Sequence, residues 1–361
     1  VCPYCDFAKW AYDGPAAARY LRALDAEIDR APRVQATTLF FGGGTPNTYD
    51  AATIARLIAR LKATFGLRDD AEITLEANPD RALCEGFGEL RAAGVNRLSF
   101  GVQSFDAGEL KALGRGHRAD DVTEAVRRAR AAGFTNISLD LMFAVPHQTD
   151  DSWRASLDAA FALGVEHISA YGLTIEDGTP YERWYEREPG AFFESDREAD
   201  LYAIAIERLE AAGYEHYEIS NFARPGFRSA HNANYWRNGD YLGLGVGAAS
   251  YLDGERSVTT RDLSAYIAAA LGSQPIPREC ERLEGDARVG EAAMLALRTR
   301  EGVDTREFRE RYGVDFLTRY SPVIDELTAA GLLRAADGRV QLTVRGRFVA
   351  NDVCGAFLAD A

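Results

Sequence analysis

From Thr37 to Ser220 the chain alternates between two apolar patterns. Stretches with apolar residues at helical spacing end in small residues and a glycine. A short, nearly continuous apolar run then follows within a few positions. Arg91-Ala92-Ala93-Gly94 leads into Val95–Val102, and Arg130-Ala131-Ala132-Gly133 into Phe134–Phe143. Ala162-Leu163-Gly164 leads into Val165–Leu173, and Ala211-Ala212-Gly213 into Tyr214–Ser220. The spaced stretches predict amphipathic helices closed by a glycine just past the end, and the runs predict buried strands. An earlier unit has the same form: strand Thr37–Phe41, then a helix capped by Asp50 and ended by Gly66, then strand Glu72–Glu76. That helix carries Ile54, Leu57, Ile58, Leu61 and Phe65 on one face. A first helix, Pro15–Arg30, opens with proline and buries Tyr20, Leu21, Leu24 and Ile28.

Alternating strands and helices predict an α/β fold, with a parallel sheet and helices outside it. Six strands are readable between residues 37 and 250. One more, upstream of Val1, would complete the first unit. An open doubly wound sheet and a barrel both remain, and the position of the polar residues favours the barrel. Gly42-Gly43-Gly44-Thr45-Pro46, Glu76-Ala77-Asn78-Pro79, Gly101-Val102-Gln103-Ser104, Asp140 and Tyr171-Gly172 fall at or near the ends of five successive strands. Strand C-terminal ends converge on one mouth in a barrel, whereas an open sheet concentrates its site at one switch point.

The first domain therefore spans residues 1–272, before a break at Gly272-Ser273-Gln274-Pro275-Ile276-Pro277. Residues 285–361 read differently. A helix at Val289–Arg298, a helix–turn–helix-like stretch at Thr305–Ala330 and a hairpin turning at Asp337-Gly338 predict a small winged-helix-like domain. Such modules often bind DNA. This one has 11 Arg or Lys against 12 Asp or Glu, so the basic footprint is absent and a lid or partner surface is expected instead.

Charge points the same way. The net charge of −14 disfavours general binding to a phosphate backbone. The cysteines number five, an odd count, and Cys84, Cys280 and Cys354 are widely scattered, which speaks against a disulfide framework and for a reducing compartment. No apolar run approaches the ~18 residues of a membrane span. The chain opens on Val1 inside a motif, which implies that the true N-terminus lies upstream.

Cys2 and Cys5 form that motif, a C-x-x-C pair with redox or metal chemistry. Cys-Pro-Tyr-Cys is also a glutaredoxin sequence, but the strand that precedes it in that fold is missing here. Zinc needs a second ligand pair, and none exists. An iron–sulfur cluster needs three or four thiolates, of which one could lie upstream of Val1. Gly42–Gly44 allows close backbone approach to a carboxylate or phosphate, without the Lys-Ser/Thr of a Walker loop. Gly243–Ala248 formally matches G-x-G-x-x-A but comes late and lacks the acidic partner of a dinucleotide site. Asp140 lies in the otherwise apolar run Ile137–Phe143, where an unpaired carboxylate is costly, so it must face a partner. His231-Asn232-Ala233-Asn234-Tyr235-Trp236 reads either as a structural loop with one surface histidine, or as an iron ligand beside aromatics that wall a flat ligand.

Taken in order, these motifs resemble the radical S-adenosylmethionine (SAM) superfamily. Within it they resemble the branch of oxygen-independent coproporphyrinogen III oxidases and HemW-type haem chaperones. Cys2 and Cys5 match the last two cysteines of C-x-x-x-C-x-x-C, and the first would fall upstream. Gly42–Pro46, Glu76–Pro79, Gly101–Phe105, Leu113–His117, Asp140–Pro146 and Tyr171–Pro180 follow in the order of this branch. The resemblance implies a partial barrel of the radical SAM type. It also implies a 4Fe–4S cluster held by three thiolates, with SAM on the open iron and reductive cleavage to a 5′-deoxyadenosyl radical. Tyr4 would lie near the adenine. Gly43, Gly44 and Thr45 would contact SAM, Glu76 and Gln103 the ribose, Arg115 a carboxylate, and Asp140 a polar group of the cofactor.

The oxidases carry a further cysteine two residues after the third, where this chain has Phe7. The chaperones carry phenylalanine there and an H-N-x-x-Y-W motif, as here. That resemblance implies haem binding with His231 as candidate iron ligand, and delivery of haem to respiratory membrane proteins. It implies a cytoplasmic protein, peripheral at the membrane where it delivers, and leaves dimerisation open. Oxidative decarboxylation of coproporphyrinogen III, and a glutaredoxin-like thiol reductase, are the alternatives.

Overall fold

The computed structural model describes residues 2–358. Five parallel strands form the frame: β1 (Thr38–Phe41), β2 (Glu72–Ala77), β3 (Arg97–Gln103), β4 (Ile137–Phe143) and β5 (His167–Gly172). They are joined in sequence order by helices on the outside. After α1 (Gly14–Arg30) come α2 (Ala51–Phe65), α3 (Phe87–Ala93), α4 (Ala107–Ala112), α5 (Ala119–Ala131) and α6 (Asp150–Ala162). Asp50 caps α2 by accepting from the Thr53 amide, and Gly66 closes it in the left-handed region at φ 58°.

The run Tyr214–Ser220, expected as one more strand, is divided. Beyond α7 (Pro180–Arg187) and α8 (Ser195–Ala211) lie β6 (Glu215–His216) and β7 (Asn221–Ala223), an antiparallel ribbon whose β7 pairs antiparallel with β5. A parallel return takes about a dozen residues of crossover, and the four-residue link Tyr217–Ser220 allows only a hairpin. The sheet order is therefore β1-β2-β3-β4-β5-β7-β6, open between β1 and β6.

Side chains alternate across the frame. Ile73, Leu75, Leu98, Phe100, Ile137, Leu139, Leu141 and Ile168 face outward into the main apolar core beneath the helices. Alternating with them, Thr74, Glu76, Arg97, Ser99, Ser138, Asp140, His167 and Ser169 face inward. The barrel interior is polar, and that is the first structural sign of a site. The chain after β7 returns across this interior as α9 (Ala230–Trp236), whose first two amides donate to Glu72 at 3.0 Å each.

A second sheet follows: β8 (Ala249–Leu252), β9 (Glu255–Thr259) and, after α10 (Leu263–Leu271), β10 (Arg278–Arg282). β10 pairs with β9, so the first body runs past the Gly272–Pro277 break to Arg282. The Gly243–Ala248 stretch leads into β8 rather than into a helix. Its Gly245 amide donates to Glu27 of α1 at 2.8 Å, so it is a packing loop and not a dinucleotide turn.

The C-terminal module contains α11 (Gly285–Leu297), β11 (Val303–Asp304), α12 (Thr305–Tyr312), α13 (Phe316–Arg319), α14 (Ser321–Ala329) and the hairpin β12 (Leu333–Ala336)–β13 (Arg339–Leu342). It has its own core around Leu297, Phe308, Phe316 and Val340. Backbone bonds Ile219 N–Arg298 O (3.2 Å) and Arg300 N–Tyr217 O (2.9 Å) clip it to the barrel. Arg347 adds a bond to His216 Nδ1 at 2.8 Å.

Candidate functional site at the barrel mouth

The Cys2–Cys5 loop sits over the C-terminal ends of the frame strands. Arg115 anchors it. One guanidinium nitrogen donates to Cys2 Sγ at 3.3 Å, and the other to Asn78 Oδ1 at 2.9 Å and to the Gly101 carbonyl. Lys9 Nζ donates to the carbonyls of Cys2 and Cys5 and closes the loop from the other side. A Cβ at Gly114 would lie 2.7 Å from Pro3 Cδ, and its φ of +65° is left-handed, so only glycine lets the loop seat here. Both thiols are free. Tyr4 packs among Leu113, Met142, Val145 and Leu173, with its ring 6.0 Å from that of Tyr181.

Beside the loop, the glycine-rich turn after β1 meets the inward carboxylates. Gly43 N donates to Glu76 Oε2 at 3.2 Å. A Cβ at Gly42 would lie 3.0 Å from that same oxygen and 2.5 Å from Phe40, so the turn and Glu76 meet closely. Asn78 ties the turn to Arg115, since its Nδ2 donates to Thr45 Oγ1 at 3.3 Å. Gly44 lies exposed in the same turn. Asp140 accepts from Ser99 Oγ at 3.2 Å on each oxygen. Gln103 ends β3 at φ 68°, where the β3–β4 register slips. A left-handed non-glycine residue at a strand end is the kind of strain that functional sites retain.

Burial, and then the neighbouring Asp140, push the Glu76 carboxyl up to about 7. Burial also raises Asp140, against the lowering effect of its Ser169 and Ser99 bonds and of Arg97. The mouth thus holds two carboxylic groups that ionise reluctantly, two thiols and one guanidinium. Cys2, Tyr4, Gly43, Gly44, Thr45, Glu76, Gln103, Arg115 and Asp140 all belong to this one end of the barrel.

His231 does not. It lies on α9, where its ring meets Thr38 and its backbone amide donates to Glu72, both first residues of their strands. Strands rise about 3.3 Å per residue, so the floor of β1 lies on the order of 13 Å below its Gly42 end. Here His231 Nδ1 bonds Thr38 Oγ1 and Nε2 bonds the Tyr235 hydroxyl, both at 2.8 Å, and the ring stacks on Phe40 with centroids 5.0 Å apart. Burial, ahead of any charge, lowers its pKa. Iron ligation through Nε2 therefore requires the Tyr235 hydroxyl to give way. Asn78, Lys9 and Arg97 were not singled out by the sequence. Asn78 lay in a noted strand end, but its partners are 33 and 37 residues away.

A partial parallel barrel with a cysteine loop, a glycine-rich turn and inward carboxylates at its mouth is the architecture of a radical SAM protein. The Radical SAM superfamily pattern matches residues 1–160, and that of the HemN C-terminal domain residues 283–349. The chain is 36% identical to the Bacillus subtilis (strain 168) protein named Heme chaperone HemW, over 100% of this chain and 96% of that protein. The Escherichia coli (strain K12) protein of the same name is 34% identical over 99% and 95%. The solved structure of Escherichia coli coproporphyrinogen III oxidase (HemN), described as a radical SAM enzyme, superposes with a TM-score of 0.85 at 24% identity, covering 99% of this chain and 87% of that one. The chain belongs to the HemW family of the radical SAM superfamily.

The cofactors of that superfamily are a 4Fe–4S cluster and SAM. The donor set fits them in part. Cys2 and Cys5 supply two soft ligands under a guanidinium. The exposed turn and carboxylates suit the hydroxyl and amino groups of SAM. Among the described residues no three Cys, His, Asp or Glu side chains converge on a metal position.

Proposed function

We propose that the protein is a haem carrier with a radical SAM cofactor site, loading haem and handing it to membrane-bound respiratory proteins. The observation that carries this reading is the full-length kinship to proteins named as haem chaperones. On this reading Cys2 and Cys5 hold the cluster, and Gly43, Gly44, Thr45, Glu76, Gln103, Arg115 and Asp140 hold SAM, with Tyr4 beside the adenine. His231 takes the haem iron after releasing Tyr235. The protein works in the cytoplasm and meets membranes through its partners. No helix among the described residues is long and apolar enough to cross one. The likeness to HemN concerns the fold alone. Phe7, which is 57% exposed, stands where the oxidases carry a further cysteine, and it supports the carrier over the decarboxylase.

Titrating the full chain with haem tests the reading. Saturable binding is expected, with a Soret maximum that His231→Ala displaces. Absence of a saturable Soret change in the parent protein would overturn it.

A further inference from the structure

A cavity of about 510 Å³ lies beside the barrel mouth, between the turns that follow β4 and β5, helix α7 and the start of α8. Clefts of roughly 300–1,000 Å³ hold small organic ligands. Leu173 lines it and also packs with Tyr4, so the cavity adjoins the cysteine loop without including it. Its walls are aromatic. Tyr185, Phe192 and Phe193 line it, and the rings of Tyr185 and Phe192 meet edge to face with centroids 5.5 Å apart. Tyr185 is 45% exposed. Ala144, held at φ 59°, lines the cavity as well. A non-glycine residue kept left-handed is a strain that functional sites retain, and its small side chain leaves the space open.

Among the described residues the charged members of this lining are all acidic: Asp177, Glu182, Glu186 and Glu198. None of the four has a cationic nitrogen within 4.0 Å among those residues. Acids on the neighbouring turns are paired instead, Asp150 and Asp200 with Arg197. That guanidinium lies over Phe193 at 6.0 Å, so one of these rings already carries a cation. Glu182 accepts from the Gly178 amide at 2.7 Å. Glu198 has no such partner. It reaches from the first turn of α8 to the end of β5, where a Cβ on Gly172 would collide with its Oε1. Its carboxylate accepts no hydrogen bond among the described residues, and burial alone raises its pKa. An anion would be repelled here, which rules out the acid edge of haem. A cation gains twice, from the carboxylates and from the ring faces.

We infer that this cavity binds a small organic cation, with an apolar body against Tyr185, Phe192 and Phe193 and an ammonium, amidinium or guanidinium group held by Glu198 and Glu186. The inference goes beyond the haem-carrier reading and does not depend on it.

The experiment titrates the full chain by calorimetry with three probes at neutral pH and physiological salt, which screens exposed charges. They are naphthylmethylamine, naphthaleneacetate, which carries an anion on the same ring, and spermidine, a cation without a ring. The amine is expected to bind one to one, and at least about tenfold more tightly than either of the others. Glu198→Gln should weaken the amine about tenfold and leave the acetate unchanged. Tyr185→Ala should weaken the amine about threefold to tenfold, and Tyr185→Phe should keep its affinity. Where Glu198→Gln fails to fold, Tyr185→Ala, on an exposed ring, decides. Absence of saturable amine binding would overturn the inference, as would equal affinity for the acetate or for spermidine. Amine binding undiminished in Glu198→Gln or in Tyr185→Ala would overturn it too. None of these results bears on the Soret titration of the parent, by which the carrier reading stands or falls separately.

Discussion

Glu76 gives SAM binding a pH dependence that can be worked out in advance. Its carboxyl is pushed up to about 7 by burial and by Asp140. A ribose hydroxyl is best held by the ionised form, which accepts two hydrogen bonds. With a pKa near 7, roughly one molecule in eleven is ionised at pH 6 and ten in eleven at pH 8, so affinity for SAM rises about tenfold across that interval. The amino group of SAM also titrates in this range, so the informative quantity is the ratio of parent to Glu76→Gln affinities. Calorimetric titration of SAM into anaerobically cluster-loaded protein should show that ratio climbing about tenfold from pH 6 to pH 8.

Stability moves the opposite way. The folded state keeps the proton above the unfolded carboxyl's pKa, so this contribution is full below about pH 4.5 and is lost as pH rises through 7. Its size is about 3 kcal/mol. Glu76→Gln removes that loss, so the variant should be the more stable protein at pH 8. A flat affinity ratio between pH 6 and 8, or a Glu76→Gln protein less stable than the parent at pH 8, would refute the reasoning.

Two further outcomes follow from the C-terminal module. Arg311 of α12 donates to the Arg237 and Asn238 carbonyls at the end of α9, and Arg298 stacks over Trp236 at 5.4 Å. Arg311→Ala should therefore cost about 1 kcal/mol in thermal unfolding and broaden the haem Soret band through His231, while leaving SAM affinity unchanged. His216 is lowered to about 4, chiefly by burial; neutral, it accepts from Arg347 at Nδ1 and donates to the Ile219 carbonyl at 3.1 Å from Nε2. The unfolded chain takes up this proton near pH 6.5 and the folded one near 4, so stability present above 6.5 falls as pH drops through that window, by about 3 kcal/mol. A His216→Gln protein should show a correspondingly shallower acid transition by circular dichroism.

Much of the frame was legible because its signals are local. The glycine after each helix, the Asp50 cap and the Asp337-Gly338 turn each act within a few residues. Long-range constraints were not legible. Tyr214–Ser220 looks like a strand by composition, but only the turn held by Glu218, Ser220 and Asn221 shows that it reverses. Arg278–Arg282 shows no strand signal in the sequence because an exposed edge strand carries charge rather than apolar alternation. At the site, Asp140 stood out as one carboxylate in an apolar run. Its companions Ser99 and Arg97 did not, because a polar residue at the flank or middle of a strand looks ordinary until neighbouring strands show that they all face one interior. The link from His231 to Thr38 spans 193 residues, and no local pattern carries it.

The choice between haem carrier and porphyrin decarboxylase turns on one measurement. Cluster-loaded protein with SAM and reductant is incubated anaerobically with coproporphyrinogen III, and the tetrapyrroles are separated and quantified. The account predicts coproporphyrinogen recovered unchanged by protein that binds haem in a parallel sample. Protoporphyrinogen accumulating over multiple turnovers would contradict it.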